Sequence, residues 1–206
     1  MAKERNLVMD AASANFLPGS ISCCQCDCAG VNYGMYQFAS RSGAPQSFVG
    51  YLNKKGHPYG RMLTKFAAGT REFSCCWQYI GEHDPKEFER LQHEFVNASY
   101  FLPVVERLRE EFAVDLPNSA SEEFKDLIWL LALEFGPAQT IDLFRGVQAA
   151  APLPLAKLTE EDLVAGINGK LAAQEWVDAK EQILTGIYAP VARGNYLKKE
   201  KLGFSA

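Results

Sequence analysis

The chain has 206 residues, 48% of them hydrophobic and 12% aromatic, which is enough to bury a globular core and excludes disorder over its bulk. Its 21 basic and 25 acidic side chains leave a net charge of −4, so there is no cationic excess to hold a nucleic-acid backbone or an anionic membrane surface. Met1 to Asn6 carry charge with no apolar run behind them, and no run of about 18 or more apolar residues reads as a membrane span. The expectation is a soluble chain made in the cytoplasm, with no membrane insertion, which something else must deliver if it acts elsewhere.

Short apolar residues over 6–15 predict a first helix, ended by Pro18-Gly19. A cysteine-rich loop follows. Val31-Asn32-Tyr33-Gly34-Met35-Tyr36-Gln37-Phe38 mixes β-branched and aromatic residues around a glycine and reads as a short strand or hairpin edge, the one clear β signal in the chain. Ser42-Gly43-Ala44-Pro45 opens a helix that Gly56-His57-Pro58 closes, and another helix is expected over 70–81. Asp84-Pro85-Lys86-Glu87 has the form of a capped start with proline at the first helical position, followed by Phe88, Leu91, Phe95 and Val96 on one face. Further helices are expected after Pro103, over 119–135 up to the stop at Gly136-Pro137, over 138–147, from Thr159, and over 174–188. Residues 149–154 are the best linker candidate, but they are too short and apolar for a flexible one. These elements predict an α+β fold, predominantly helical, with a small β-hairpin near residues 30–40. They read as a single domain over 1–206 whose helical C-terminal part, from about 155, packs on the same core.

Six cysteines form a cluster, Cys23, Cys24, Cys26 and Cys28, and a pair, Cys75-Cys76. Three readings stay open. Cys23, Cys26, Cys28 and Cys76 supply enough thiolates for a tetrahedral metal site, although of the usual C-x2-C spacings only Cys23 to Cys26 is present. The bland alternative is small buried thiols that pack the loop on the helix carrying Cys75-Cys76. Disulfides between loop and helix would form in an oxidising compartment.

The run Pro18-Gly19-Ser20-Ile21-Ser22, then Asp27, then Ala29-Gly30-Val31-Asn32-Tyr33-Gly34-Met35-Tyr36-Gln37-Phe38-Ala39-Ser40 resembles a family of lysozyme-like, chitosanase-like glycoside hydrolases. That family occurs in phage lytic proteins and as toxin extensions of type VI secretion spikes. Phe73, Trp77, Gln92, Phe95, Tyr100, Ile128-Trp129, Gly136 and Ile187-Tyr188 also fall where the family places similar residues. The resemblance implies a lysozyme-like fold that cuts the aminosugar backbone of bacterial peptidoglycan, with no cofactor. Its partners would be peptidoglycan glycan strands, a secretion spike or phage tail that carries it, and an immunity protein. It would be delivered to the periplasm or cell wall.

Glycoside hydrolysis needs two carboxyl groups, one protonated to donate to the glycosidic oxygen and one ionised. The resemblance assigns the ionised place to Asp27. Aligned without gaps, the acid place falls on Ala12, which has no proton to give; with a two-residue insertion before Pro18 it falls on Asp10. Glu134, where the family commonly has glutamine, is a third candidate carboxylate. Asn32 and Gln37 are candidate hydrogen bonders to N-acetyl groups, and Tyr33 and Tyr36 are candidates for stacking on sugar rings. Strand alternation sends Tyr33 to one face and Tyr36 with Phe38 to the other. His57, His83 and His93 show neither zinc nor nucleophile-elbow spacing. The competing reading is an inactive lysozyme-like module that binds glycan or protein through the same groove, or serves as a structural part of a phage particle or tail.

Overall fold

A computed structural model describes residues 16–23 and 30–172, so the expected helices over 6–15 and 174–188 lie outside the described residues. Contacts divide the chain into two compact units, Ala12–Val96 and Met1–Ala11 with Asn97–Ala206.

The Ala12–Val96 unit contains a three-stranded antiparallel sheet in the order β1-β2-β3: β1 Ile21–Cys23, β2 Val31–Tyr33 and β3 Phe38–Ala39. The register pairs Ile21 with Tyr33, Ser22 with Asn32 and Cys23 with Val31, then Asn32 with Ala39 and Tyr33 with Phe38. The expected hairpin is present, and β1 extends it to a sheet. Four helices follow in this unit: α1 Ala44–Lys54, α2 Pro58–Leu63, α3 Arg71–His83 and α4 Pro85–Val96.

Trp77 of α3 is fully buried at the centre of this unit. Its ring lies 5.3 Å from Tyr33, 5.4 Å from Phe48, 6.0 Å from Phe73 and 4.8 Å from Phe88, centroid to centroid. Tilted and edge-on rings of this kind combine large apolar burial with favourable quadrupole contacts. The expected capping role of Asp84 is taken over by a tertiary bond, because its carboxylate accepts the Tyr59 hydroxyl of α2 at 2.6 Å. Glu87 turns to Arg90 and His57 instead.

The second unit begins with a π turn, Asn97–Phe101, that leads into α5 Leu102–Phe112. Pro103 sits in the first turn of α5, directly after the π turn. A short helix α6 Leu116–Ser119 precedes the long α7 Glu122–Ala150, and α8 Glu160–Ala172 follows. Thr159 and Asp162 cap α8 reciprocally, as expected: the Asp162 amide donates to Thr159 Oγ1 and the Thr159 amide to Asp162 Oδ2, each at 3.2 Å. Val104, Leu108, Ile128, Ile141, Phe144 and Ile167 form the heart of this core.

By length and composition alone α7 is apolar enough to cross a membrane, but many of its apolar residues, Phe124, Ile128, Leu131 and Phe144 among them, are buried in this core. Its two halves are each about 14 residues, or roughly 21 Å, which is short of a bilayer's hydrocarbon thickness. They are separated by Gly136 at φ 76°, ψ 164°, with Pro137 next, so the expected stop is a kink between two helices. The Thr140 hydroxyl lies 2.9 Å from both the Leu131 and the Gly136 carbonyl oxygens and caps the break. The backbone at Gly136 is essentially restricted to glycine, while an added methyl would meet no atom within 4 Å. Gly136→Ala therefore carries backbone strain alone and is expected to lower stability by about 1–3 kcal/mol. Chemical denaturation checks this, and an unchanged midpoint refutes it.

Candidate functional site

The sheet of the Ala12–Val96 unit has two different faces. Ile21, Tyr33 and Phe38 share one row, and Tyr33 and Phe38 point into the aromatic core. Ser22, Asn32 and Ala39 share the other row, where Ser22 and Asn32 are half-buried. Gln37 joins this polar row: Ser22 Oγ donates to Gln37 Oε1 at 2.5 Å, and Gln37 Nε2 donates to the Gly34 carbonyl at 2.9 Å. Ser22, Asn32 and Gln37 therefore form one continuous polar strip of hydroxyl and carboxamide groups. The sequence alone gives Ser22 no site role, since only the pairing of β1 with β2 brings it beside Asn32.

The four residues proposed for sugar contact divide into two pairs. Asn32 and Gln37 lie on the polar strip. Tyr33 is fully buried, and its hydroxyl accepts the Gly69 amide at 3.1 Å and lies 2.9 Å from Ser74 Oγ. Ser74 Oγ in turn donates to the Thr70 carbonyl at 2.9 Å, so the Tyr33 hydroxyl is the donor to Ser74. This ring ties the sheet to the start of α3 and offers no open face for stacking. Tyr36 is 7% exposed, with its hydroxyl 2.9 Å from His93 Nδ1 of α4. Simple alternation does not hold between Tyr33 and Tyr36, because residues 34–37 form a turn with Gly34 at φ 71° and Gln37 at φ 49°. Both tyrosines end up buried.

Burial pushes the His93 imidazole below its usual range, with Glu94 opposing the shift. A histidine held neutral in this way contributes stability that is complete above the unfolded value of about 6.5 and is lost as pH falls through the depressed folded value. We expect the thermal midpoint to drop between pH 7 and pH 5 more steeply in the wild type than in His93→Gln, which keeps a hydrogen-bonding group beside Tyr36 without a proton to gain. Equal slopes refute this.

The turn before β1 is locked on the helices. The Pro18 carbonyl accepts two buried donors, Trp77 Nε1 and Gln92 Nε2, both at 2.9 Å. Gly19 packs backbone to backbone on Gly81 of α3, where a β-carbon on Gly81 would fall 2.2 Å from the Gly19 α-carbon. At the other end Gly30, at φ 74°, adjoins Ser40, whose hydroxyl accepts the Val31 amide at 3.0 Å.

Residues 24–29 connect β1 to β2, and Asp27, Cys26 and Cys28 among them lie outside the described residues, as do Asp10 and Ala12. Cys23 closes β1. Cys75 is exposed, and Cys76 is half-buried with its thiol pushed up by burial. Both line an open depression with Phe66, Arg71 and Glu72. Among the described residues no three His, Cys, Asp or Glu side chains gather as a metal would need. Glu134 belongs to the other unit, half-buried two residues before the Gly136 kink, and burial raises its carboxyl above the usual range. That is the direction a general acid needs.

Two comparisons bear on this arrangement. Over 152 residues, 74% of this chain, it is 27% identical to the type VI secretion system spike protein VgrG3 of Vibrio cholerae serotype O1. The aligned stretch spans only 14% of that spike protein's length. The family described as type VI secretion system spike protein VgrG3-like, C-terminal, matches residues 7–182, a span that includes the sheet, the polar strip and the kinked α7. The chain belongs to this family of VgrG3-like C-terminal domains.

Proposed function

We propose that this chain is a type VI secretion spike-associated module of lysozyme-like fold, a single domain over 1–206, that hydrolyses glycosidic bonds in the aminosugar backbone of peptidoglycan. The observation that carries the reading is the polar strip of Ser22, Asn32 and Gln37 on a sheet whose β1–β2 connection contains Asp27. Hydroxyl and carboxamide groups in a row suit the hydroxyls and N-acetyl amides of an aminosugar chain. The sequence resemblance around Asp27 supplies the chemistry. Asp27 is the ionised group that activates water or stabilises the oxocarbenium-like transition state, and Asp10 is the acid that protonates the leaving oxygen. Delivery by a secretion spike supports action in the periplasm or cell wall of a target cell, with an immunity protein as the partner that protects the producer.

In this reading Tyr33 and Tyr36 set the sheet on its helices and do not stack on sugar, while Asn32 makes the direct contact. Asn32 has no side-chain hydrogen bond among the described residues, whereas both ends of the Gln37 carboxamide are engaged. The strip itself carries hydroxyl and carboxamide groups and no carboxyl, which favours a second reading, a module that binds glycan without cutting it. Purified protein incubated with peptidoglycan sacculi separates the two. Release of new reducing ends supports the hydrolase, and co-sedimentation without release supports the binding module.

A further inference from the structure

We infer that Gln92 is the positioning residue for the polar strip, and through it for the glycan site; the catalytic half of this inference rests on the hydrolase reading above. Gln92 is fully buried on α4 and commits both ends of its carboxamide to distant backbone. Its Oε1 accepts the Met35 amide at 3.0 Å, and its Nε2 donates to the Pro18 carbonyl at 2.9 Å. Pro18 belongs to the turn that enters β1, and Met35 to the turn that leaves β2. One side chain therefore spans the open end of the β1–β2 pair, at the opposite end from the connection that contains Asp27.

The strands are short, so their register depends on such tertiary anchors. β1 and β2 share three residue pairs, and a slip of one residue would turn Ser22 or Asn32 to the core side and bring an apolar neighbour to the polar strip. Gly34 is fitted to this clamp, since a β-carbon there would fall 2.1 Å from Gln92 Oε1 and 2.9 Å from Trp77 Cζ2. The Pro18 carbonyl has a second donor in Trp77, so a change at Gln92 falls chiefly on the Met35 amide. A buried amide stripped of its acceptor is costly, and the turn moves to find one.

The two ends of the carboxamide can be tested apart. Gln92→Met keeps the approximate volume and removes both bonds. Gln92→Glu keeps the shape; ionised, it accepts from Met35 but sets a negative oxygen against the Pro18 carbonyl, and protonated, it donates to Pro18 and accepts from Met35 as glutamine does. Burial raises the pKa of such a carboxyl, so the protonated form is the one favoured as pH is lowered.

The experiment uses the full chain, with three readouts: initial rates of reducing-end release from peptidoglycan sacculi, hydrogen exchange of the Met35 amide, and thermal unfolding. We expect Gln92→Met to lower kcat on the order of 10²-fold, the cost of roughly 1 Å of misplacement, with a much smaller change in apparent KM and faster Met35 exchange. Gln92→Glu should be slowed at neutral pH and regain activity and Met35 protection relative to wild type as pH is lowered. Wild-type kcat and Met35 protection in Gln92→Met overturn the inference, and so does a Gln92→Glu variant whose ratio to wild type does not change with pH. If Gln92→Met does not fold, the isosteric glutamate variant decides alone. A wild type inert on sacculi removes the hydrolase reading and the catalytic half with it, and Met35 exchange in the variants then shows whether Gln92 holds the strip.

Discussion

Asp27→Asn is expected to lower reducing-end release from peptidoglycan by at least ~10²-fold while leaving the thermal midpoint nearly unchanged. An amide has almost the shape of the carboxylate but no charge, so it can neither offset the positive charge that develops at the anomeric carbon nor take a proton from water. The contrast with the polar strip makes the result specific. Asn32→Ala, which removes one neutral hydrogen-bonding group from the half-buried strip, should weaken apparent KM more than kcat, because a neutral contact holds substrate and transition state about equally. Equal activity in Asp27→Asn would remove this residue from the chemistry, and the sequence likeness around it would then describe a frame without an enzyme.

What the sequence made legible, and what it hid, follows the range of the interactions. The hairpin over Val31–Phe38 was visible because β-branched and aromatic residues cluster there. β1 was not, since Ile21-Ser22-Cys23 has a single strong strand former and becomes a strand only by pairing with β2. The sequence at the start of α2 reads as a break because Gly56-His57-Pro58 closes one helix. The same Pro58 opens the next, where the His57 ring accepts the Tyr59 amide as a cap. The burial of Tyr36 was hidden by a turn that resets the two-residue alternation after only three strand residues.

Gln92 illustrates the limit most clearly. The pattern Phe88, Leu91, Phe95 marks the apolar face of α4, and a glutamine on that face is the local sign of a buried polar group that needs partners. Its partners are 57 and 74 residues away in sequence, beyond any periodicity argument. The carboxylates divide in the same way. The position of Glu134 just before a helix break is legible from Gly136-Pro137, whereas its raised proton affinity depends on burial, which the linear sequence does not display.

The proton donor is the assignment with the largest consequence after Asp27, and three substitutions resolve it. If Asp10 donates, Asp10→Asn should lower activity by at least ~10²-fold, the usual scale of general acid catalysis, while Ala12→Glu adds nothing and Glu134→Gln stays within a few-fold of wild type. The pH profile supplies an independent reading: with Asp10 as acid, the alkaline limb of kcat belongs to that carboxyl and disappears in Asp10→Asn. Glu134 is the competitor with a physical argument behind it, since burial already holds its carboxyl toward the protonated form. A ~10²-fold loss in Glu134→Gln, together with near-normal activity in Asp10→Asn, would transfer the acid role to α7. A wild type that binds sacculi without cutting them, but gains hydrolysis in Ala12→Glu, would show instead that the ungapped alignment is right: the chain would then have lost its acid at position 12 while keeping the strip of Ser22, Asn32 and Gln37 as a glycan-binding surface.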